Sequence, residues 1–237
     1  VFNLDTPYLS IIIPAYNEEA RIVSTLDKIV EFMSSSGFSY ELIIVDDGSK
    51  DNTVQIVEEC VGNIRVISQP KNMGKGAAIR TGMMSAVGRL RLFTDADLST
   101  PIYELNKLLD QIENGYDIAI GSRALNYEMI KEHQPFYREM MGKTFNKLVQ
   151  FFVFKGIQDT QCGFKLFTST AAEDIFSQMK TDGFGFDVEA LYLANILNYR
   201  IAEVPVEWYN DERSKVNPVT DSIKMLAEIL RIKRLHK

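Results

Sequence analysis

Short β-branched apolar runs alternate with amphipathic stretches through the first half of the chain, and no other feature limits its fold as much. Tyr8–Ile13 reads as a buried strand ending at Pro14. Ile22, Leu26, Ile29, Val30 and Met33 then recur at helical spacing up to Gly37, with Asn17 as the expected N-cap and Glu18 and Glu19 in the first turn. Glu41–Val45, Ile64–Ile67, Leu90–Phe93 and Asp117–Ile120 repeat the strand signal. Helices are expected from Lys50, from the Gly-rich loop Asn72–Gly76 through Ala86, and from Pro101 at a first helical position. This alternation implies an α/β fold of βαβ units, a Rossmann-like, mostly parallel sheet flanked by helices. Ligands bind such sheets beyond the C-terminal ends of the strands. Pro14–Glu18, Asp46–Ser49, Asp95–Asp97 and Gly121–Arg123 are therefore expected along one edge.

The second half is less regular. Tyr137–Phe154 reads as a long helix with an apolar face, Asp159–Thr168 as a loop and strand, and Thr170–Met179 as a helix. A helix follows Phe184 through Leu197, then a strand over Ile201–Val206. An amphipathic helix, Asp221–Leu235, closes the chain with basic final turns. With no internal repeat or linker in 237 residues, a single domain over 1–237 is expected.

Composition removes several function classes. The formal net charge of −6 argues against a general nucleic-acid binder, which needs a basic face, but leaves room for a local nucleotide site. Cys60 and Cys162 are too few for a disulfide framework, so a reducing compartment and two small buried thiols are expected. His133 and His236 lie far in sequence from any other candidate group and are expected at the surface, which removes Ser-His and Cys-His nucleophile schemes. No Gly-x-Gly-x-x-Gly follows the first strand, against a dinucleotide-binding dehydrogenase. No apolar run approaches the roughly 20 residues of a membrane span, and no secretory leader is expected at the start.

The chemistry gathers at strand ends. Leu92–Pro101 runs from an apolar strand into Asp95-Ala96-Asp97. Carboxylates at i and i+2 leaving a buried strand can converge on one hard cation, Mg²⁺ or Mn²⁺, whose natural partner is a diphosphate. Without a cation they would repel each other. Asp46 and Asp47 either form an Asx turn with Gly48 or accept hydrogen bonds from a base imide or a ribose hydroxyl. Gly74-Lys75-Gly76 lacks the spacing of a Walker motif, yet can bring Lys75 to a phosphate. Arg123 and Arg138 are candidates to clamp phosphate oxygens, with surface ion pairs as the alternative. The apolar helix and the basic closing helix suit either core packing or a membrane surface.

Pro14-Ala15-Tyr16-Asn17-Glu18, Asp46-Asp47-Gly48-Ser49, Asn72–Gly76 and Asp95-Ala96-Asp97 together resemble the nucleotide-sugar half of family 2 glycosyltransferases of the GT-A fold. Asp159–Phe167, Phe186-Asp187-Val188-Glu189 and Ser214-Lys215-Val216 resemble the branch that glycosylates polyprenyl phosphates, the dolichyl-phosphate β-glucosyltransferases in particular. The resemblance implies a nucleotide-sugar half over about residues 8–123 and an acceptor- and membrane-facing half over about 124–237. It implies that Pro14, Ala15, Tyr16, Glu18 and Asp46 or Asp47 line the base and ribose pocket, joined by Lys75 and Ala96. Asp95 and Asp97 would hold Mg²⁺ or Mn²⁺, and Arg123 and Arg138 would hold phosphates. Lys165, Asp187 and Glu189 are further candidates for sugar or acceptor contacts. Ser99 stands where related mannose synthases carry Gln, which favours glucose from UDP-glucose over GDP-mannose. The implied reaction inverts the sugar onto a dolichyl or other polyprenyl phosphate at the cytoplasmic face of a membrane. That membrane would be the endoplasmic reticulum in a eukaryote or the plasma membrane in a prokaryote. A nucleotide-binding module without turnover is the alternative of another class.

Overall fold

A computed structural model describes residues 6–60, 64–132, 156–211 and 220–236, together with Met140, Gly142, Thr144, Asn146, Val149 and Gln150, all six helical. The strands are β1 (Leu9–Ala15), β2 (Tyr40–Asp46), β3 (Ile64–Ser68), β4 (Leu90–Thr94), β5 (Ile118–Ser122), β6 (Phe164–Thr168) and β7 (Ile201–Pro205). The α-helices named below are α1 (Ile22–Ser36), α2 (Thr53–Glu59), α3 (Lys75–Ser85), α4 (Leu105–Glu113), α5 (Ser169–Phe176), α6 (Phe186–Ile196) and α7 (Thr220–Leu235). A 3₁₀ turn, Ile102–Glu104, leads from Pro101 into α4. The sheet order is β3-β2-β1-β4-β6-β5-β7.

All pairings are parallel except those of β6, which runs antiparallel to β4 and β5. The sequence pattern places a strand there but not its direction. The reversal matters, because it delivers the start of β6 to the edge where the other strands end. Asp159–Gly163, which precedes β6, thereby joins the loops after β1, β2, β4 and β5.

Alternation along the strands feeds two cores. Leu9, Ile11 and Ile13 of β1 pack with Leu26 and Ile29 of α1 and Leu105 and Leu108 of α4 on one face. Ile12 turns the other way, onto Ala78, Ile79 and Met83 of α3, and that core continues through Ile175, Leu191, Ile229 and Ile232. Helices thus cover both faces, as mostly parallel sheets require.

Three local expectations change. β1 continues through Pro14 to Ala15. Asn17 does not cap α1, which begins at Ile22. Asn17 takes a left-handed backbone (φ 54°), which its short polar side chain tolerates, and accepts the Lys50 N–H at 2.7 Å. Its own N–H donates to Ser49 Oγ at 2.8 Å, so it ties two strand-end loops together. His236 is not a surface residue. α7 buries Ile229 and Ile232, and this draws the ring against the fully buried Glu189, with Nε2 2.6 Å from Oε1. The apolar helix expected over Tyr137–Phe154 lies largely outside the described residues.

α3 sits unusually close to the sheet at Gly82, where an added Cβ would lie 2.4 Å from Ile12 Cγ2 and 2.9 Å from Val45 Cγ2. Gly82→Ala should lower unfolding free energy by about 1–3 kcal/mol despite its better helix propensity, because the methyl overpacks the core. Met84→Ala, at an exposed position of the same helix, should stay within about 0.5 kcal/mol. Urea unfolding of the two variants checks the contrast.

Candidate active site

The chain leaves β4 into a corner closed by backbone on several sides. Asp95 N–H donates to Gly163 O at 3.2 Å, linking the end of β4 to the start of β6. Gly163 is required there: a Cβ would stand 2.1 Å from Asp95 Oδ2 and 2.5 Å from its Cγ. Thr25 of α1 donates its hydroxyl to Ala96 O at 2.6 Å. Leu98 takes a left-handed conformation (φ 46°), uncommon for a non-glycine residue and a mark of local strain. That turn lets Ser99 N–H donate to Asp97 Oδ1 at 2.9 Å, while Ser99 O accepts Tyr209 N–H at 2.8 Å. Asp95 and Asp97 are thus set by main-chain geometry.

Each carboxylate faces a cation. Lys75 Nζ lies 2.6 Å from Asp95 Oδ1. Lys75 opens α3, directly after Gly74, whose backbone (φ 105°) favours glycine and whose Cβ would strike Asp182 O at 2.4 Å. Arg21, not anticipated from the sequence, places Nη1 4.0 Å from Asp97 Oδ2. It is held by Glu18 through Nε (2.5 Å) and Nη2 (2.9 Å), and by Asp211 through Nη1 (3.0 Å). Its i,i+3 spacing from Glu18 was the only sequence signal; Asp211 gave none. Burial and the adjacent Asp95 push the Asp97 carboxyl above its ordinary pKa, against the Ser99 N–H, Arg21 and Lys75. Burial opposes the Lys75 ammonium, but Asp95, Asp187 and Asp97 outweigh it and hold its pKa above the usual lysine value.

Two neighbouring loops form the other wall. Ala15 O, at the end of β1, accepts Asp47 N–H at 2.8 Å. Asp47 accepts Met73 N–H at 2.6 Å and Gly74 N–H at 2.9 Å, so it positions the loop that carries Lys75. Among the described residues, the Asp46 carboxylate accepts only the Ser49 N–H, at 3.1 and 3.3 Å to its two oxygens, while its backbone O accepts Gln69 N–H at 2.8 Å. Pro14 and Tyr16 are half-buried beside them, and Glu18 is buried with its N–H on Thr53 Oγ1 at 2.7 Å.

Arg123 leaves β5 and meets Asp159 in a bidentate pair, Nε–Oδ2 2.7 Å and Nη2–Oδ1 2.9 Å, above the Trp208 ring. The fork expected to grip a phosphate is therefore occupied, and Nη1 is the part of the guanidinium left to point elsewhere. Lys165 is fully buried under the site. It donates to Cys162 O at 2.7 Å and to Asp187, and it lies over the Phe93 ring. Lys165 and Asp187 form a supporting pair rather than a solvent-facing one. Glu189 is likewise internal, accepting Lys180 N–H at 3.0 Å and Thr181 N–H at 2.7 Å. Arg138 and Ser214–Val216 lie outside the described residues.

The donor set at the corner is oxygen-only, with Asp95 Oδ2 cradled over Gly163. Among the described residues, no cluster of three or more His, Cys, Asp or Glu side chains forms a metal site. Two carboxylates without further protein ligands fit Mg²⁺ or Mn²⁺, which complete their shells with water and substrate phosphates.

A family model described as glycosyl transferase family 2 matches residues 10–176. The chain belongs to that family. It is 40% identical to the dolichyl-phosphate β-glucosyltransferase of Dictyostelium discoideum, over 97% of this chain and 75% of the relative. The Homo sapiens enzyme of the same name is 38% identical over 98% and 77%, and the Saccharomyces cerevisiae one 37% over 95% and 74%. The glycosyltransferase is thus a hexosyltransferase of dolichyl-phosphate β-glucosyltransferase type. Its GT-A fold also matches glucosyl-3-phosphoglycerate synthase of Mycobacterium tuberculosis, crystallised with Mn²⁺, UDP and glucosyl-3-phosphoglycerate. The TM-score is 0.65 at 18% identity, over 96% of this chain and 78% of that one. The same enzyme crystallised with Mn²⁺, UDP-glucose and glycerol 3-phosphate matches at a TM-score of 0.64 and 19% identity, over 95% and 80%.

The Arg123–Asp159 pair sets an acid limit. Despite burial, Arg123 and the N–H groups of Arg123 and Gln161 lower the Asp159 pKa from 3.8 to about 2. The folded value lies below the unfolded one, so its stabilisation is present above about pH 4 and lost as pH falls toward 2. Asp159 should contribute roughly 2 kcal/mol at neutral pH. Asp159→Asn should lower stability at pH 7 and flatten its fall between pH 4 and 2, as followed by urea unfolding across pH.

Proposed function

We propose that this glycosyltransferase moves glucose from UDP-glucose to dolichyl phosphate, with inversion, giving a β-linked dolichyl phosphoglucose. The observation that carries the reading is the position of Asp95 and Asp97 at the end of β4, beside the loops after β1 and β2. The names of the relatives, shared over nearly the whole chain, support the sugar and the lipid; UDP-glucose in a structural neighbour supports the donor.

Asp46 is the base or ribose acceptor, since Asp47 is committed to Met73 and Gly74. Pro14, Ala15, Tyr16 and Ala96 shape the pocket around the nucleoside. Asp95 and Asp97 hold Mg²⁺ or Mn²⁺, which when bound supplies positive charge to the departing diphosphate. Lys75 and Arg123 Nη1 add cationic donors at the same edge. The acceptor needs no strong general base, because a phosphate monoester loses its second proton at about pH 6. Its oxygen forms the new bond to the anomeric carbon while the bond to the nucleoside diphosphate breaks. The work of the protein is alignment and charge stabilisation. Arg138 is proposed to meet the lipid phosphate. No helix among the described residues is long and apolar enough to cross a membrane. Peripheral work at a membrane surface, where the lipid acceptor resides, is part of the proposal.

The test is incubation of the protein with radiolabelled UDP-glucose or GDP-mannose, dolichyl phosphate and Mn²⁺ or Mg²⁺, followed by organic extraction. UDP-glucose should label the lipid phase and GDP-mannose should not. Asp97→Ala should lower the rate by about 100-fold or more with the fold retained. An unchanged rate in that variant, or label from GDP-mannose alone, would overturn the assignment.

A further inference from the structure

Three carboxylates at or under the β4 corner each face a cation: Asp95 with Lys75, Asp187 with Lys165, and Asp97 with Arg21. The three pairs differ in how firmly they are held. Lys165 is locked by Asp187, by Cys162 O and by the Phe93 ring, and is fully buried. Arg21 has its main partners in Glu18 and Asp211 and only skirts Asp97. Lys75 is the exception. Its contacts are Asp95 and, at 5.8 Å, the face of the Phe186 ring, and its side chain keeps partial access to solvent.

Asp187, on the residue after Phe186, is already taken by Lys165. Lys75 itself extends from a backbone fixed by Asp47 at Met73 and Gly74 and by Asp182 O on Ala77 N–H at 3.2 Å. A long flexible side chain on a rigid root, with one carboxylate in contact, can exchange partners without moving the main chain.

We propose that Lys75 is the resident counter-ion of Asp95 in the free protein, and that it yields Asp95 when a divalent ion and a nucleoside diphosphate bind together. The inference rests on the proposed donor site and adds a regulatory property to it. While Lys75 neutralises Asp95, the corner has little net attraction for a divalent ion alone. When a diphosphate accompanies the ion, Lys75 finds phosphate oxygens in place of Asp95. Metal and nucleotide then bind with strong mutual dependence, and by linkage each raises the affinity of the other by the same factor.

Mn²⁺ titration of the full chain, read from the electron paramagnetic resonance signal of free Mn²⁺ with and without UDP, tests this. In the wild type Mn²⁺ should bind weakly alone and much more tightly with UDP. Lys75→Met and Lys75→Gln should bind Mn²⁺ alone at least about tenfold more tightly, since a cation in contact with Asp95 is gone. UDP should enhance Mn²⁺ binding less in both variants than in the wild type. Unchanged or weaker binding of Mn²⁺ alone in both folded variants would overturn the inference. It would leave the transfer assay, and hence the proposed reaction, untouched. Failure of the wild type to bind Mn²⁺ even with UDP would overturn both.

Discussion

Two like charges held side by side at the end of β4 are the constraint on which the rest of the site depends. Asp95 and Asp97 are separated by one residue and partly removed from water, so the fold must supply cations or leave repulsion uncompensated. It supplies them from distant parts of the chain. Lys75 comes from the first turn of α3, and Arg21 from the loop before α1. The carboxylates are aimed by backbone: a hydrogen bond to Gly163, the left-handed Leu98, and the Ser99 N–H. Carboxylates fixed by backbone, with a long-chain cation beside one of them, suit the proposed binding of a divalent ion and a diphosphate.

The antiparallel β6 makes this possible. A parallel strand in its place would deliver its start to the opposite end of the sheet. Running backwards, β6 brings Gly163 under Asp95 and Asp159 beside Arg123, and buries Lys165 between β4 and β5. The same reversal ties the second half of the chain to the loop before α3. Thr181, Asp182 and Gly183 pack on the glycine loop that roots Lys75, and Glu189 receives the N–H groups of Lys180 and Thr181. α7 reinforces that platform through Glu228 on Gly185 N–H at 2.8 Å and His236 on Glu189. Support for the site therefore reaches to the last turn of the chain.

Much of this was legible in the sequence. The strands stand out because each is a short β-branched run, and the loops that bear chemistry follow their ends. The place of Asp95 and Asp97 at the end of β4 was readable because the pair directly follows a short apolar run. What escaped was long-range. The partner of Arg123 is Asp159, 36 residues on, and nothing local marks the pair. Arg21 resembles an ordinary helix-start cation until Asp211, 190 residues later, is folded against it. Lys165 and Asp187 are candidates for sugar or acceptor contacts in the sequence, yet they are paired inside. His236 was expected at the surface because it lies far in sequence from any other candidate group, whereas the apolar stripe of α7 brings it against Glu189. Strand direction has no period of its own, so the reversal of β6 could not be read from the alternation.

Gly163→Ala adds a single methyl group aimed at the Asp95 carboxylate and so probes whether its backbone-set position governs transfer. Transfer of glucose to dolichyl phosphate and thermal unfolding would be measured on the same preparation. The rate should fall by about 100-fold or more, with the unfolding midpoint within a few degrees of the wild type, since the clash is with a functional group. An unchanged transfer rate in the folded variant would contradict that role of the Asp95 position.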